Sequence, residues 1–447
     1  MPIQRTLFFI LLFFPATHFG QSGIQIIFEG QFDVHPSNEA LFNSPLASFG
    51  NQFYVTFVNS KLQTEVARKK DGEWQRTIIE KKTRDNRWHN QPSIAADGEG
   101  YLHLVYNMHS TPWQYSVTRF PEEISTWRFR GQYVGKNPGD SMPETAYKKT
   151  WLTDGTAAIP GNQITYPFMT CDSQGNIFLA YRECGRCETG NYYHRKWSGG
   201  ISKYTVNNGR WQRVGNGTIW AQDEKFVPLG IFISFGPKQR MHISWVWNAH
   251  YKPENRHAGL PNWVAYARSD DGGTTFKRAD GSALSLPITF EESDKCASPA
   301  GPGKGKSTFW GYTRNTGSPD GKPYVLIMPR AQRQGRKAGN SIVSYRDDTG
   351  WQEPQHLPAN AAHILIDDAG NFYAVSSEIR IYRRAAAGKK WKPLIVDLKG
   401  GPKLVNIDFA HFRETGEIRL SGMTKRPGSQ PILKIWTIRF PPNPKSQ

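Results

Sequence analysis

The segment His89-Asn-Gln-Pro-Ser-Ile-Ala-Ala-Asp-Gly-Glu-Gly-Tyr-Leu-His-Leu-Val-Tyr-Asn-Met-His109 decides the fold. Its polar stretch at residues 97–100 separates two runs that fit short β-strands, which is the pattern of a β-hairpin. Folding the segment about residue 99 places His89 opposite His109. Residues that lie opposite each other in an antiparallel pair share a face, with Cβ atoms about 5 Å apart. We therefore expect the two imidazoles to lie side by side.

A second segment has the same layout. The stretch Tyr166-Pro-Phe-Met-Thr-Cys-Asp-Ser-Gln-Gly-Asn-Ile-Phe-Leu-Ala-Tyr-Arg182 folds about residue 174, which places Tyr166 opposite Arg182. If the two hairpins are neighbours, two imidazoles, a phenol and a guanidinium meet at the same end of the fold. Such a set suits acid–base chemistry on an anionic substrate.

The hairpin pattern, a turn followed by alternating apolar residues that end in an aromatic residue, occurs seven times along the chain. Second strands are predicted to begin near Phe53, Tyr101, Asn176, Arg240, Pro323, Asn371 and Glu417. The spacing averages about 60 residues, and no amphipathic helix is convincing. We therefore predict an all-β fold, a seven-bladed β-propeller of four-stranded antiparallel blades, because a closed ring hides the sheet edges.

Aromatic residues support this repeat. Most copies carry one after a later polar turn, and we interpret most of them as packing between blades: Trp74, Trp127, Trp211, Phe276, Trp351 and Trp391, with Trp436 near the terminus. The segment Ser269-Asp-Asp-Gly-Gly-Thr-Thr-Phe276 fits the Asp-box pattern S-x-D-x-G-x-T-[WF]. An Asp-box closes a turn between two strands and usually has no part in catalysis.

The ends and the charge of the chain indicate where it works. Residues 1–21 have one arginine, an apolar run and then small or polar residues. This pattern predicts a signal peptide. We therefore expect a secreted or periplasmic protein with one domain over residues 22–447. No other stretch is apolar enough to span a membrane.

The formal net charge of +18 favours a polyanionic partner. An acidic polysaccharide suits an exported monomer better than nucleic acid, because no helix or arm concentrates the basic residues.

Four cysteines allow two interpretations. Cys184 and Cys187 form a C-x-x-C pair, and together with His194 and His250, or His257, they could hold a structural zinc ion. In an exported chain the same cysteines could instead form disulfide bonds. We expect no cofactor to be required for the chemistry itself.

Several of these residues resemble a known family. The run His89-Asn-Gln-Pro-Ser-Ile with His109, the run Ile164-Thr-Tyr-Pro-Phe with Tyr181-Arg182, and Trp245-Val-Trp followed by Tyr266-Ala-Arg-Ser-Asp-Asp-Gly-Gly resemble the BNR repeat-containing propellers. The spacing of His89, His109, Tyr166 and Arg182 resembles that of the seven-bladed ulvan lyases within that family. The chain departs from the commoner pattern after Arg182, where relatives often have a Gly/Ser-rich loop.

The resemblance implies a polysaccharide lyase that cleaves a uronate polymer by β-elimination. Arg182 would neutralise the uronate carboxylate, since a guanidinium can pair with a carboxylate through two hydrogen bonds. His89 or His109 would be the base and Tyr166 the acid, and the two roles could be reversed for the other uronate epimer. An α-L-rhamnosidase that acts on rhamnose–glucuronate linkages, or a propeller that binds an acidic glycan without cleaving it, are the alternatives.

Further residues are candidate sugar contacts at the rim of the propeller: Asn90, Gln91, Trp247, Asn248 and Arg330. Trp247 could stack on a pyranose ring, or it could belong to the core. Asn90 and Gln91 could bind hydroxyl groups, or they could satisfy strand edges. His103 and His242 lie inside predicted strands, and we interpret both as structural.

Overall fold

The computed structural model describes residues 18–19, 23–38, 42–83, 89–109, 111, 113–130, 159, 164–184, 197–215, 217–223, 225–249, 262–297, 309–329, 340–376, 380–386, 388, 390–395, 403–424 and 429–441. These residues form seven antiparallel sheets, one for each blade of a β-propeller. The fold predicted from the repeats is confirmed. The predicted signal peptide lies outside the described residues, apart from strand β1 (His18–Phe19), which pairs with Gln25 and Ile26.

Blades 1 to 3 follow one another along the chain, each with its first strand innermost. Blade 1 consists of β3 (Leu46–Phe49), β4 (Gln52–Val58), β5 (Thr64–Lys70) and β6 (Glu73–Glu80). Blade 2 consists of β7 (Ser93–Ala96), β8 (Leu102–Val105), β9 (Tyr115–Thr118) and β10 (Trp127–Phe129). Blade 3 consists of β11 (Ile164–Cys171), β12 (Ile177–Cys184), β13 (Trp197–Thr205) and β14 (Arg210–Arg213), with β15 (Trp220–Ala221) beside β13.

Blades 4 to 6 carry additional short strands. Blade 4 consists of β16 (Phe226–Phe235), β17 (Met241–Ala249), β18 (Trp263–Ser269), β19 (Phe276–Lys277) and β20 (Ala283–Leu284), with β21 (Asp294–Ala297) beside β18. Blade 5 consists of β22 (Phe309–Gly317), β23 (Pro323–Pro329), β24 (Ile342–Asp347) and β25 (Gly350–Trp351), with β26 (Gln355–His356) beside β24. Blade 6 consists of β27 (Ala361–Ile366), β28 (Phe372–Ser376), β29 (Ile381–Arg384) and β30 (Lys392–Ile395).

Blade 7 closes the ring with both ends of the described chain. Its inner strands come late in the sequence: β31 (Lys403–Ile407), β32 (Ile418–Thr424) and β33 (Ile432–Arg439). Its fourth strand is β2 (Gln25–Asp33), which pairs with β33 from Gln25↔Arg439 to Asp33↔Ile432. This ladder joins strands from the two ends of the described chain within blade 7, and the repeat pattern did not predict it.

The repeat pattern located the second strand of each blade closely. The observed second strands begin at Gln52, Leu102, Ile177, Met241, Pro323, Phe372 and Ile418. Each of these starts lies within one residue of the predicted position. Trp220, Trp245 and Trp247 are fully buried in the cluster that joins blades 3 and 4, so aromatic packing between blades is also observed.

The described residues include one α-helix, α1 (Phe409–Thr415), which interrupts the first hairpin of blade 7. The Phe409 ring lies 5.1 Å from that of Phe232 and 5.4 Å from that of His363. Arg413 donates a 2.9 Å hydrogen bond to the Cys171 carbonyl oxygen. The helix therefore contacts the inner strands of three other blades and covers the centre of the ring on one face.

Short 3₁₀ helices occur at Pro36–Asn38, Val206–Asn208 and Pro237–Gln239. No described helix has the length and the apolar character that a membrane span requires.

The Asp-box closes a turn between two strands, as expected. Asp271 accepts hydrogen bonds from the backbone amides of Thr274 and Thr275, each at 3.0 Å, and from the Thr275 hydroxyl at 2.6 Å. Phe276, at the end of the motif, is 1% exposed and packs in the core between blades 3 and 4. The motif thus closes the turn between β18 and β19.

The first hairpins of blades 2 and 3 touch through their turns. The Gly98 amide donates a 3.1 Å hydrogen bond to the Gly175 carbonyl oxygen. Gly175 has φ +76°, and a Cβ atom at this position would overlap the Cα of Gly98. Only glycine combines this dihedral angle with so close an approach. The contact holds side by side the two hairpins on which the candidate site residues lie.

Candidate functional site

Four of the residues singled out from the sequence lie together at one mouth of the ring. The His89 and His109 rings stack with centroids 4.0 Å apart and planes 27° apart. The Tyr166 ring centroid lies 5.5 Å from that of His89 and 6.4 Å from that of His109. The Arg182 guanidinium carbon lies 4.9 Å from the centre of the Tyr166 ring. The two hairpins therefore bring the four groups within reach of one small molecule.

The direction of strand β11 shows on which face of the propeller the candidate site lies. Tyr166 lies near the start of β11, whereas Cys171, which binds helix α1 through its carbonyl oxygen, ends the same strand. Five residues of extended strand span about 16 Å. The candidate site and helix α1 therefore lie on opposite faces of the propeller.

The two histidines extend a regular hairpin. Strands β7 and β8 pair from Ser93↔Val105 to Ala96↔Leu102, in the register that the predicted midpoint requires. The ladder ends there, and beyond it the stacked rings of His89 and His109 still face each other. Asn107 has φ +52°, a left-handed conformation that asparagine tolerates better than most residues. Met108 is 1% exposed and packs between blades 2 and 3, which anchors the chain next to His109.

The predicted pairing of Tyr166 with Arg182 is off by one residue. Thr165 pairs with Arg182, and the register shifts between Thr165 and Phe168. Tyr166 lies in this bulge with φ +55°. A bulge places an extra residue on one strand and redirects its side chain. The predicted midpoint of the hairpin, residue 174, is correct for the pair Phe168↔Ala180. It fails on the other side of the bulge, because the sequence pattern did not indicate a bulge.

A serine of blade 2 and a serine of the segment before blade 1 satisfy the backbone of this bulge. The Ser93 hydroxyl of blade 2 donates a 2.7 Å hydrogen bond to the Pro167 carbonyl oxygen. The Ser44 hydroxyl, just before blade 1, accepts a 3.0 Å hydrogen bond from the Met169 amide. The Ser44 amide in turn donates to the Ser93 hydroxyl at 3.0 Å. Buried backbone groups require such partners, so this network fixes the bulge that carries Tyr166.

Arg182 is buried between aromatic rings. It is 7% exposed, and its guanidinium carbon lies 3.9 Å from the centre of the Trp197 ring, in addition to its contact with Tyr166. The neighbouring carboxylate, Glu183, pairs with Arg213 at 2.7 Å. Across the described part of the chain, no carboxylate forms an ion pair with Arg182.

Phe42 is a site residue that the sequence did not indicate. Its ring stacks on Tyr166 with centroids 4.0 Å apart and planes 30° apart. Phe42 precedes blade 1 and is far from Tyr166 in the sequence, so only the tertiary fold brings it to blade 3. No local pattern distinguishes it from the other phenylalanines of the chain.

The expected sugar contacts next to His89 are buried. Asn90 is 1% exposed and Gln91 is 5% exposed. The Gln91 side-chain amide donates a hydrogen bond to the Ser37 carbonyl oxygen, which matches the structural alternative for this residue. Asn248 is partly exposed near the end of β17, opposite Val227. Arg330 lies outside the described residues.

Trp247 belongs to the core, so the expectation that it stacks on a sugar ring is wrong. Its side chain is fully buried. Its indole N–H donates a 3.0 Å hydrogen bond to the Ser293 hydroxyl. The ring packs edge-on against Trp245 at 6.1 Å and against Phe290 at 6.2 Å.

His103 and His242 are structural, as interpreted from the sequence. His103 lies 2.7 Å from the Tyr115 hydroxyl through Nδ1 and 3.1 Å from Asp97 through Nε2. His242 lies 2.7 Å from the Tyr266 hydroxyl through Nδ1. Both are fully buried, and this burial lowers the pKa of each imidazole, that of His242 to about 3.

The cysteines divide into two classes. Cys184 is disulfide-bonded, whereas Cys171 and Cys296 are buried free thiols. A sulfur in a disulfide bond is not a thiolate, which is the form that binds zinc. The geometry at Cys184 therefore favours the disulfide alternative. Cys187, His194 and His250 lie outside the described residues, and the described residues contain no cluster that could hold a metal ion.

Comparisons with known proteins agree with the fold. The model of a family described as BNR repeat-containing family members matches residues 52–394. The polysaccharide lyase Uly1 superposes with a TM-score of 0.63 at 12% identity, covering 89% of each chain. An ulvan lyase of family PL25 superposes with a TM-score of 0.63 at 12% identity, covering 91% of this chain and 94% of its own. The same values hold for the structure described as PL25 ulvan lyase bound to -[GlcA(1-4)Rha3S]-. No curated protein sequence matches significantly.

Proposed function

The chain belongs to the family of BNR repeat-containing proteins, and from that premise we propose that it is an exported polysaccharide lyase. Its substrate is an acidic, uronate-containing polysaccharide similar to ulvan, and the reaction is β-elimination. The observation that carries the proposal is the meeting of four groups at one mouth of the ring. The ring centroids of His89, His109 and Tyr166 lie at most 6.4 Å apart, and the Arg182 guanidinium carbon lies 4.9 Å from the centre of the Tyr166 ring. The superposition with two polysaccharide lyases supports it.

The role of Arg182 follows from its surroundings. β-Elimination removes the proton on C5 of the uronate, which is too weakly acidic while the adjacent carboxylate keeps its full negative charge. A guanidinium that binds the carboxylate spreads this charge as the intermediate forms. Arg182 is permanently charged, is mostly buried and has no ion-pair partner among the described residues, so it is suited to receive a carboxylate.

The histidines and Tyr166 supply the proton transfers. One imidazole, of His89 or His109, removes the C5 proton, and the Tyr166 hydroxyl protonates the oxygen that leaves C4. Each positioned acid or base contributes about 10²- to 10⁴-fold. Which residue takes which role depends on the uronate epimer, because glucuronate and iduronate present the C5 proton on opposite faces. This chemistry needs no cofactor, and we propose that the protein acts as a secreted or periplasmic monomer.

The test is a substrate screen with ultraviolet detection. The purified protein is incubated with ulvan, glucuronan, rhamnosyl-glucuronate oligosaccharides and glycosaminoglycans. Elimination leaves an unsaturated uronate that absorbs in the ultraviolet, and we expect this signal with at least one polymer. Arg182→Ala and His89→Ala should lower the rate by about 10²-fold or more. His356→Ala, which changes an exposed histidine on blade 5, is the matched control and should retain activity.

Two outcomes contradict the proposed activity, and a third contradicts the assigned mechanism. Shortening of the polymer without ultraviolet absorbance indicates hydrolysis, as expected of an α-L-rhamnosidase. Binding without any change in polymer length after long incubation indicates a glycan-binding propeller. Full activity in Arg182→Ala contradicts the assigned mechanism even if elimination occurs.

A further inference from the structure

We infer that Trp197 is a positioning residue that holds the Arg182 guanidinium by stacking, in place of the carboxylate that usually holds a buried arginine. Its indole ring centre lies 3.9 Å from the guanidinium carbon. This inference deepens the proposed function and rests on it where it concerns catalysis. Its structural part, the stacking itself, is tested without any substrate.

The sheet register explains the contact. Arg182 pairs with Gly199, and Cys184 pairs with Trp197, so Trp197 is the diagonal neighbour of Arg182 on the same face of the sheet. Diagonal neighbours are about 7–8 Å apart at the backbone, within reach of long and aromatic side chains. Gly199 brings no side chain between them, so the guanidinium can lie on the indole.

Trp197 is a rigid support. Its amide donates a 2.7 Å hydrogen bond to the Gln222 side-chain oxygen, and its carbonyl oxygen accepts a 3.1 Å hydrogen bond from the Gln222 amide. Its side chain is 2% exposed and packs with the disulfide-bonded Cys184 and with Val227. Both its backbone and its ring are therefore fixed before a ligand arrives.

Stacking suits an arginine that must bind an anion. Trp197 and Tyr166 contact the guanidinium through their rings, and the Arg182 Nε is buried without a hydrogen-bond partner among the described residues. A guanidinium donates its hydrogen bonds in its own plane. An aromatic ring that covers one face of the guanidinium leaves the in-plane N–H donors available, whereas a protein carboxylate would occupy them. The stacked arrangement thus orients the charge and keeps it free for the carboxylate of the substrate.

A double-mutant cycle tests the catalytic part of the inference. Trp197→Leu should lower the elimination rate about ten-fold, the scale of a desolvated cation–π contact. Trp197→Phe keeps an aromatic face and should recover most of this loss. In an Arg182→Ala background, Trp197→Leu should change the residual rate by less than about two-fold. An equal ten-fold loss in both backgrounds overturns the inference, because Trp197 would then act independently of Arg182.

The chain offers a matched control in blade 6. The Arg384 guanidinium carbon lies 5.4 Å from the centre of the Trp391 ring, a similar contact on a different blade. Trp391→Leu should therefore leave the rate unchanged. An equal loss of rate in Trp391→Leu and Trp197→Leu would show a general effect on the fold and would overturn the inference.

Nuclear magnetic resonance of protein labelled with ¹⁵N-arginine tests the stacking without substrate. The Arg182 Nε–H signal, identified by its loss in Arg182→Lys, should be shifted upfield by the indole ring current. It should move downfield in Trp197→Leu and stay in place in Trp391→Leu. An Arg182 signal without this upfield shift in the wild type overturns the inference, even if the variants do not fold. If the wild type neither cleaves nor binds any uronate polymer, the proposed function fails while this measurement still decides the stacking.

Discussion

The Ser93 hydroxyl of blade 2 donates a 2.7 Å hydrogen bond to the carbonyl oxygen of Pro167 in blade 3. Pro167 follows Tyr166 in the bulge of β11, so this bond ties the position of the phenol to the hairpin that carries the two histidines. The same hydroxyl accepts a hydrogen bond from the Ser44 amide. Blades 2 and 3 and the segment before blade 1 are thus coupled through one buried serine beside the site.

Replacing Ser93 should reduce both stability and activity. Ser93→Ala leaves the Pro167 carbonyl and the Ser44 amide without this partner in the protein interior, which costs about 1–3 kcal/mol in the free energy of unfolding. The bulge is then free to shift, and small displacements of catalytic groups lower rates strongly. We expect a rate loss of about ten-fold or more, measured with the best polymer of the screen beside a denaturant titration.

Ser344→Ala is the control for Ser93→Ala. The Ser344 hydroxyl is equally buried and donates a 2.9 Å hydrogen bond to the Cys296 carbonyl oxygen, between blades 4 and 5. Its loss should lower stability by a similar amount and leave the rate unchanged. If both serine variants lose activity equally, the bulge is not specifically responsible.

The contact between blades 2 and 3 predicts a large cost for Gly175→Ala. The new Cβ would overlap the Gly98 backbone, and φ at this position is +76°. We expect a loss of more than about 3 kcal/mol, since backbone strain and a steric clash add. Gly50→Ala is the comparison, because Gly50 has φ +55° with no heavy atom within 4 Å of a Cβ. It should lose only about 1 kcal/mol. Equal melting temperatures for the two variants would argue against the tight contact.

Buried histidines should make stability decrease as the pH falls. Burial, with added repulsion from nearby arginines, lowers the pKa of His242 and of His363 to about 3 from the ordinary value of 6.5. Between these values the unfolded chain binds more protons than the folded one. The contribution of each neutral buried histidine to the free energy of unfolding is therefore fully present above about pH 6.5. It is lost toward pH 3, by at most about 1.4 kcal/mol per pH unit for each histidine.

The His242→Asn variant isolates one of these protons. Asparagine keeps a hydrogen-bonding group near the Tyr266 hydroxyl but does not titrate. Its free energy of unfolding, measured by urea titration between about pH 7 and pH 4, should fall less steeply than that of the wild type. His356→Asn, at an exposed position of blade 5, should leave the slope unchanged. Identical slopes for all three proteins would be inconsistent with a buried, neutral His242.

The Asp-box should matter for stability and not for activity. Asp271→Ala removes the acceptor of two amide hydrogen bonds and one hydroxyl hydrogen bond in the turn between β18 and β19. We expect a loss of about 1–2 kcal/mol, measured by denaturant titration, and an unchanged rate, because this turn lies on the face opposite the site. Asp348→Ala, at a side chain that is 94% exposed, should change neither quantity. A large drop in rate in Asp271→Ala would assign this turn a role beyond folding.

Local patterns predicted much of the architecture. Turn residues followed by alternating apolar positions located every second strand to within one residue, because strand and turn preferences act over a few neighbouring residues. The same patterns brought His89 and His109 together, since the hairpin is regular between β7 and β8. They failed at Tyr166, where a bulge shifts the register by one residue.

The interior of the ring was harder to predict. Its position along a strand makes Trp247 a candidate sugar contact, whereas the structure buries it against Trp245 and Phe290. No sequence pattern marks Trp197 and Phe42 as site residues, although they contact Arg182 and Tyr166. Aromatic residues are abundant in this chain, and only their three-dimensional neighbours distinguish core packing from the walls of a site.

The sequence by itself determined the seven hairpin repeats, the all-β class and the four polar residues that the two central hairpins present. The tertiary structure decided that β2 completes blade 7, that serines of other segments fix the bulge under Tyr166, and that Trp197 lies against Arg182. The physical reason is the distance along the chain over which each kind of interaction acts. Strand alternation and turn formation depend on neighbours in the chain, whereas ring closure and burial depend on contacts between residues far apart in sequence, which no local pattern encodes.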